Sequence, residues 1–124
     1  MLLDFTQVSA CLPEGEYVAV IADISEKGSR SSMSSGYEFQ FVIESPEEQQ
    51  GRTLFDTIWT TSKTGQVNQV GMVQLKRMMA AAGLDVTKPV DLQDAITAKV
   101  KLSVKIESRE GFEDQNRIGK VLPA

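Results

Sequence analysis

Three lysines on one side of a single extended segment carry the most suggestive chemistry in this chain. In Lys99-Val-Lys-Leu-Ser-Val-Lys-Ile-Glu107 alternate side chains of a strand point to opposite faces. Val100, Leu102, Val104 and Ile106 therefore share one face, and Lys99, Lys101 and Lys105 share the other. A row of ammonium groups on a wet face can track an anionic polymer. It is equally what a surface strand needs for solubility. Two aromatic residues add to the first reading. Trp59, the sole tryptophan, stands beside Thr60, Thr61 and Lys63, where it either stacks on a base or closes one end of a barrel. Phe112 lies in the polar turn Ser108-Arg-Glu-Gly-Phe-Glu-Asp114 and has little to bury against, although Glu110, Glu113 and Asp114 around it repel phosphate.

The residues that are missing narrow the chemistry. The chain has no histidine, the commonest general base and metal ligand. Its single cysteine, Cys11, allows neither an intrachain disulfide nor a thiolate zinc site, and suits a reducing cytosol. Ser62-Lys63-Thr64-Gly65 lacks the G-x-x-x-x-G-K-[ST] spacing of a phosphate loop, and Asp91 and Asp94 sit where a helix start needs caps. No catalytic residue, metal site or cofactor is expected. The start of the chain has no basic leader, and no window approaches a membrane span of about 20 apolar residues. The expected protein is soluble and cytoplasmic, with no membrane partner.

The net charge of −4 hides an asymmetry: residues 1–60 hold 10 acidic and 3 basic side chains, whereas residues 61–124 hold 7 and 10. A phosphate chain responds to the local field, so a basic face on an acidic body is compatible with binding one.

These groups need elements to position them. Leu12-Pro-Glu-Gly-Glu16 is a turn, and Tyr17 to Ile24 is a β-branched first strand. Glu26 to Gly36 has seven Ser or Gly among eleven residues, the composition of a flexible loop. Tyr37, Phe39, Phe41 and Ile43 alternate with Glu38, Gln40, Val42 and Glu44, which predicts a second strand with its aromatic face in the core. Arg52 to Trp59 is a third strand, with Phe55 expected in or near the core. Val70, Leu75, Met78, Met79 and Ala82 recur at helical spacing between Val67 and Ala82, and Gly83 follows as a C-cap. After a connector comes the lysine strand, then a fifth from Gln115 to Leu122.

Five strands with a helix between the third and fourth predict one mainly β domain over residues 1–124, an OB-fold-like barrel. That architecture binds on its second and third strands together with the first-to-second and fourth-to-fifth loops. The predicted DNA-binding set is Lys27, Arg30, Tyr37, Trp59, Lys63, Lys99, Lys101, Lys105, Arg109 and Phe112, with Arg52, Arg117 and Lys120 secondary. Cations neutralise phosphates, while Trp59 with Phe112 or Tyr37 stacks on bases. The competing reading is a protein-interaction module whose acidic half docks on a basic partner.

Five pieces in order resemble a known family: Asp4-Phe5, Leu12-Pro-Glu-Gly-Glu-Tyr17, Gly51-Arg-Thr-Leu-Phe-Asp56, Leu75-Lys-Arg-Met-Met-Ala-Ala-Ala-Gly-Leu84 and Asn116-Arg-Ile-Gly-Lys-Val-Leu-Pro123. They look like a phage protein family labelled as a domain of unknown function, associated with recombination and replication genes and inferred to bind single-stranded DNA. The resemblance implies a phage or prophage origin in a bacterial host, a non-enzymatic role, and single-stranded DNA as partner. It also points to a phage recombinase or replication enzyme as a protein partner, and homo-oligomers are compatible with it. Bacterial single-stranded DNA-binding proteins end in an acidic tail that recruits enzymes. This sequence closes with Val121-Leu-Pro-Ala124, so either partners dock elsewhere or such a tail was never part of this member.

Overall fold

The structure, a computed structural model, describes residues 1–3 and 11–124; Asp4 and Phe5 lie outside the described residues. Five strands and one helix follow in the expected order: β1 Gly15–Gly28, β2 Ser35–Ser45, β3 Thr53–Thr61, α1 Gln69–Ala81, β4 Lys99–Glu107 and β5 Gln115–Pro123. They form a single antiparallel sheet in the order β3-β2-β1-β4-β5. β1 holds the two halves together. Its first part pairs with β4 from Gly15↔Val104 to Val20↔Lys99, and from Val18 onward it pairs with β2. An irregularity between Ile21 and Asp23 bends it and shifts its parity, so Tyr17, Ala19 and Ile21 face inward before it and Ile24 after it.

The sheet curls so that edge strands β3 and β5 approach each other, with α1 packed against both. They do not join through a hydrogen-bonded ladder. The mainly β domain expected from the strand count is therefore present as an open sheet, barrel-like only loosely.

The concave face is dry. Phe39 and Phe41 stack with ring centroids 6.2 Å apart, among Ile21, Ile43, Val100, Leu102 and Val104, all fully buried. Leu75, Met78 and Met79 bring α1 onto this core. The Asn68 side chain caps the helix by accepting from the Gly71 N–H at 3.1 Å. At the other end Gly83 takes a φ of 91°, while the Leu84 and Gly83 N–H groups donate to the Met79 and Ala80 carbonyls. That is a Schellman closure, the C-cap expected of Gly83. Asp91 caps a short 3-10 turn over Leu92–Ala95 by accepting from the Gln93 N–H at 3.0 Å. Among the described residues no helix is long and apolar enough to cross a membrane.

Three side chains sit differently from expectation. Val70 points away from the core, because the buried line of α1 runs through Gly71, Leu75, Met78 and Met79. Phe55 is on the wet face of β3, since the inward parity there belongs to Leu54, Asp56 and Ile58. Tyr37, expected both on the core face of β2 and as a stacking partner for DNA, takes the first place only: it lies on the core side opposite Ile58 and packs against the core.

Candidate nucleic-acid interface

β3 is apolar on both faces, and its outer face is where aromatic rings meet solvent. Thr53, Phe55, Thr57 and Trp59 point outward; Phe55 is 60% exposed and Trp59 40%. Phe55 stands opposite Gln40, whereas Trp59 stands opposite Gly36, so no side chain covers the indole from the paired position on β2. Four residues of strand separate the rings by about 13 Å, too far to share one base. Two platforms on one strand suit consecutive or spaced bases of a single strand.

The backbone beneath Trp59 is gripped from two sides. A Cβ on Gly36 would lie 2.2 Å from the Ile58 carbonyl oxygen, and one on Gly71 would lie 1.7 Å from the Trp59 carbonyl oxygen. Only glycine permits either approach. The Asn68 N–H also donates to the Thr60 carbonyl at 2.9 Å. An exposed ring on a pinned backbone is preorganised to bind a planar partner.

Two loops meet at this end of β3. The β1–β2 loop is closed by the Ser29 N–H on the Ser34 carbonyl at 3.0 Å, and the Met33 N–H donates to the Lys63 carbonyl at 3.2 Å. This contact joins the loop carrying Arg30 to the loop carrying Lys63, beside Ser35↔Thr61 and Gly36↔Trp59 in the ladder. Neither Arg30 nor Lys63 has a carboxylate within ion-pairing distance among the described residues. Lys27, at the end of β1, is paired with Glu38 at 3.5 Å.

The lysine strand is elsewhere on the sheet, three positions from β3. Lys99 pairs with Glu44 at 3.2 Å and Lys101 with Glu16 at 3.1 Å. Lys105 has no such partner among the described residues. With Lys101 and Lys120 it lines a shallow groove of about 340 Å³ that also includes Glu16, Ser103, Gly119 and Leu122. The loops that carry Arg30 and Lys63 meet at the Trp59 end of β3, while Lys101 and Lys105 line a separate groove.

The β4–β5 hairpin forms a third site. Glu107 accepts from Arg109 at 3.2 Å and from Arg117, so Arg109 is neutralised where it was expected to meet phosphate. The Arg117 hydrogen bond and charge, with help from Arg109, hold the Glu107 carboxyl below its ordinary range. Arg117 also links the hairpin to β3. Its charge opposes the effect of burial on Asp56, the stronger influence, which raises that carboxyl. β5 comes close to β3 across the open seam. Phe112 is 74% exposed at the hairpin tip.

The sequence reading missed Phe55 and ranked Arg117 and Lys120 second. The available signal was parity, since Phe55 must share a face with Trp59. Among the described residues no group of three or more His, Cys, Asp or Glu side chains could hold a metal ion. No protein-family model matches the chain, and no curated protein matches it.

Proposed function

We propose that this protein binds single-stranded DNA with little sequence preference, as a non-enzymatic accessory of phage replication or recombination in the bacterial cytoplasm. The observation that carries the reading is the exposed pair Phe55 and Trp59 on a strand whose backbone Gly36 and Gly71 hold in place. Bases stack on the two rings, and Arg30 and Lys63 meet the phosphates beside Trp59. Every base has a π-face, so this mode tolerates sequence.

The test is a titration of oligo-dT into the protein, following the indole emission and fluorescence anisotropy of labelled DNA. Trp59→Ala and Phe55→Ala should each weaken binding roughly five- to hundredfold, since a stacked base contributes about 1–3 kcal/mol. Salt adds a second readout. Each phosphate neutralised contributes about −0.7 to the log–log slope, so Arg30 and Lys63 alone give about −1.4, and a path that includes Lys105 and Lys120 gives about −2.8. No binding at low salt would overturn the proposal.

One observation favours a second reading, a protein-interaction module that acts as adaptor or inhibitor of a recombination or replication enzyme. Lys27, Lys99 and Lys101 are each already matched by a glutamate, which weakens the field that would draw DNA. A stoichiometric protein partner with no affinity for oligo-dT would select this alternative.

A further inference from the structure

Outside β3, two exposed apolar groups stand beside charges of opposite sign. The first is the outer face of α1. Val70, 70% exposed, and Val73 stand one turn apart, with Arg77 one turn further along the same line and Lys76 beside it. An exposed helix face is ordinarily polar, and β-branched residues lower helix propensity, so two valines here are locally unfavourable and need another explanation. The helix carries Lys76 and Arg77 and no acidic residue.

The second is the β4–β5 hairpin tip, where Phe112 projects between Glu110 and Glu113. The Phe112 N–H closes the turn on the Arg109 carbonyl at 3.1 Å, and Arg109 itself is engaged by Glu107. Asp114 accepts from Ser108 at 2.7 Å, which leaves Glu110 and Glu113 without a cationic partner among the described residues. An apolar ring flanked by two carboxylates is poorly suited to phosphate. It is suited to an apolar surface flanked by two cations. The exposure of both patches shows that they do not meet within one molecule.

We propose that these patches meet between molecules. The hairpin tip of one copy seats Phe112 on Val70 and Val73 of a second copy, and Glu110 and Glu113 face Lys76 and Arg77. Because the two surfaces differ, the contact is head-to-tail and each copy leaves one patch free for the next, so the product is a chain of copies or a ring. A hairpin tip against one helix buries little area, which places the contact at the weak end of specific interfaces. Association is therefore a property of concentrated protein. It does not depend on the DNA-binding reading.

Sedimentation velocity over a concentration series tests this with Phe112→Ala and Val73→Asp, both at exposed positions where the fold has little to lose. Wild-type protein should show species that grow past a dimer with concentration, and each variant alone should stay monomeric. An equimolar mixture of the two should form dimers and nothing larger, because Val73→Asp keeps an intact hairpin and Phe112→Ala an intact helix face. Glu110→Lys/Glu113→Lys mixed with Lys76→Glu/Arg77→Glu should recover association that each lacks alone. Wild-type protein that stays monomeric at its highest soluble concentration would overturn the inference, as would variants that assemble like wild type. Affinity for a short oligo-dT that holds one copy should be the same for wild type and Val73→Asp, so this result and the DNA result are read separately.

Discussion

Replacing Gly71 by alanine sets two effects of opposite sign against each other. In a helix interior the change normally stabilises by about 0.5–1 kcal/mol, because glycine carries the larger backbone entropy. Here the new Cβ would sit 1.7 Å from the Trp59 carbonyl oxygen and 2.8 Å from its carbon, both backbone atoms of β3. An ordinary carbon–oxygen contact is about 3.5 Å, so the start of α1 must retreat by nearly 2 Å or β3 must move. β3 resists because β2 also presses on it, a Cβ on Gly36 lying 2.2 Å from the Ile58 carbonyl oxygen. Overpacking of this kind costs about 1–3 kcal/mol and sometimes more, which exceeds the propensity gain. The expected net loss is about 1–2 kcal/mol, or roughly 3–10 °C in Tm for a domain of this size. Thermal unfolding followed by circular dichroism measures it, and the Trp59 emission maximum reports the displaced strand end. Gly28→Ala is the control, since a Cβ there meets nothing within 4 Å. A Gly71→Ala protein as stable as wild type, with unchanged Trp59 emission, would refute the clamp.

Asp56→Asn tests the buried side of β3. Burial raises the Asp56 carboxyl above its ordinary 3.8, so the fold favours the protonated form. Its stabilising contribution is full below that ordinary value and lost as pH rises through the elevated one. Asn should therefore raise Tm at neutral pH, with the gain shrinking toward pH 4; a lower Tm at neutral pH would mean that Arg117 outweighs burial. Asn68→Ala removes the cap on α1 and should cost about 1 kcal/mol in chemical denaturation. Lys105→Glu/Lys120→Glu should leave stability within about 0.5 kcal/mol, as surface changes do. It should flatten the salt slope of oligo-dT binding by about 1.4 if the basic groove lies on the DNA path, and leave it unchanged otherwise.

Sequence pattern was most informative where one face of a strand is apolar and the other charged. The lysine strand was expected over Lys99–Glu107 and occupies those residues, with Val100, Leu102 and Val104 buried. It was least informative on β3, which is apolar on both sides. Period-two alternation cannot say whether Leu54 and Ile58 or Phe55 and Trp59 face the core; pairing with β2 decides it, through Phe41↔Leu54 and Tyr37↔Ile58. The helix suffered the same ambiguity at Val70, because a valine outside the buried stripe reads like one within it. Cross-strand charge was invisible for a different reason. Glu16 meets Lys101, and Glu44 meets Lys99, only because β1 brings β2 and β4 to its two sides. Several of the cations most easily picked from the sequence are for that reason neutralised, whereas Arg30, Lys63, Lys105 and Lys120 have no ion pair among the described residues.

The position of β1 between the two halves dictates an order of assembly. β1, β2 and β3 form a local meander that closes short loops at little entropic expense and should therefore pair first. β4 and β5 make a second hairpin whose docking must await the return of Lys101 to Val18 from the far end of the chain. Until then the N-terminal half of β1 is a bare, adhesive edge, so a nascent or nicked chain is vulnerable to aggregation at Gly15–Val20 in particular.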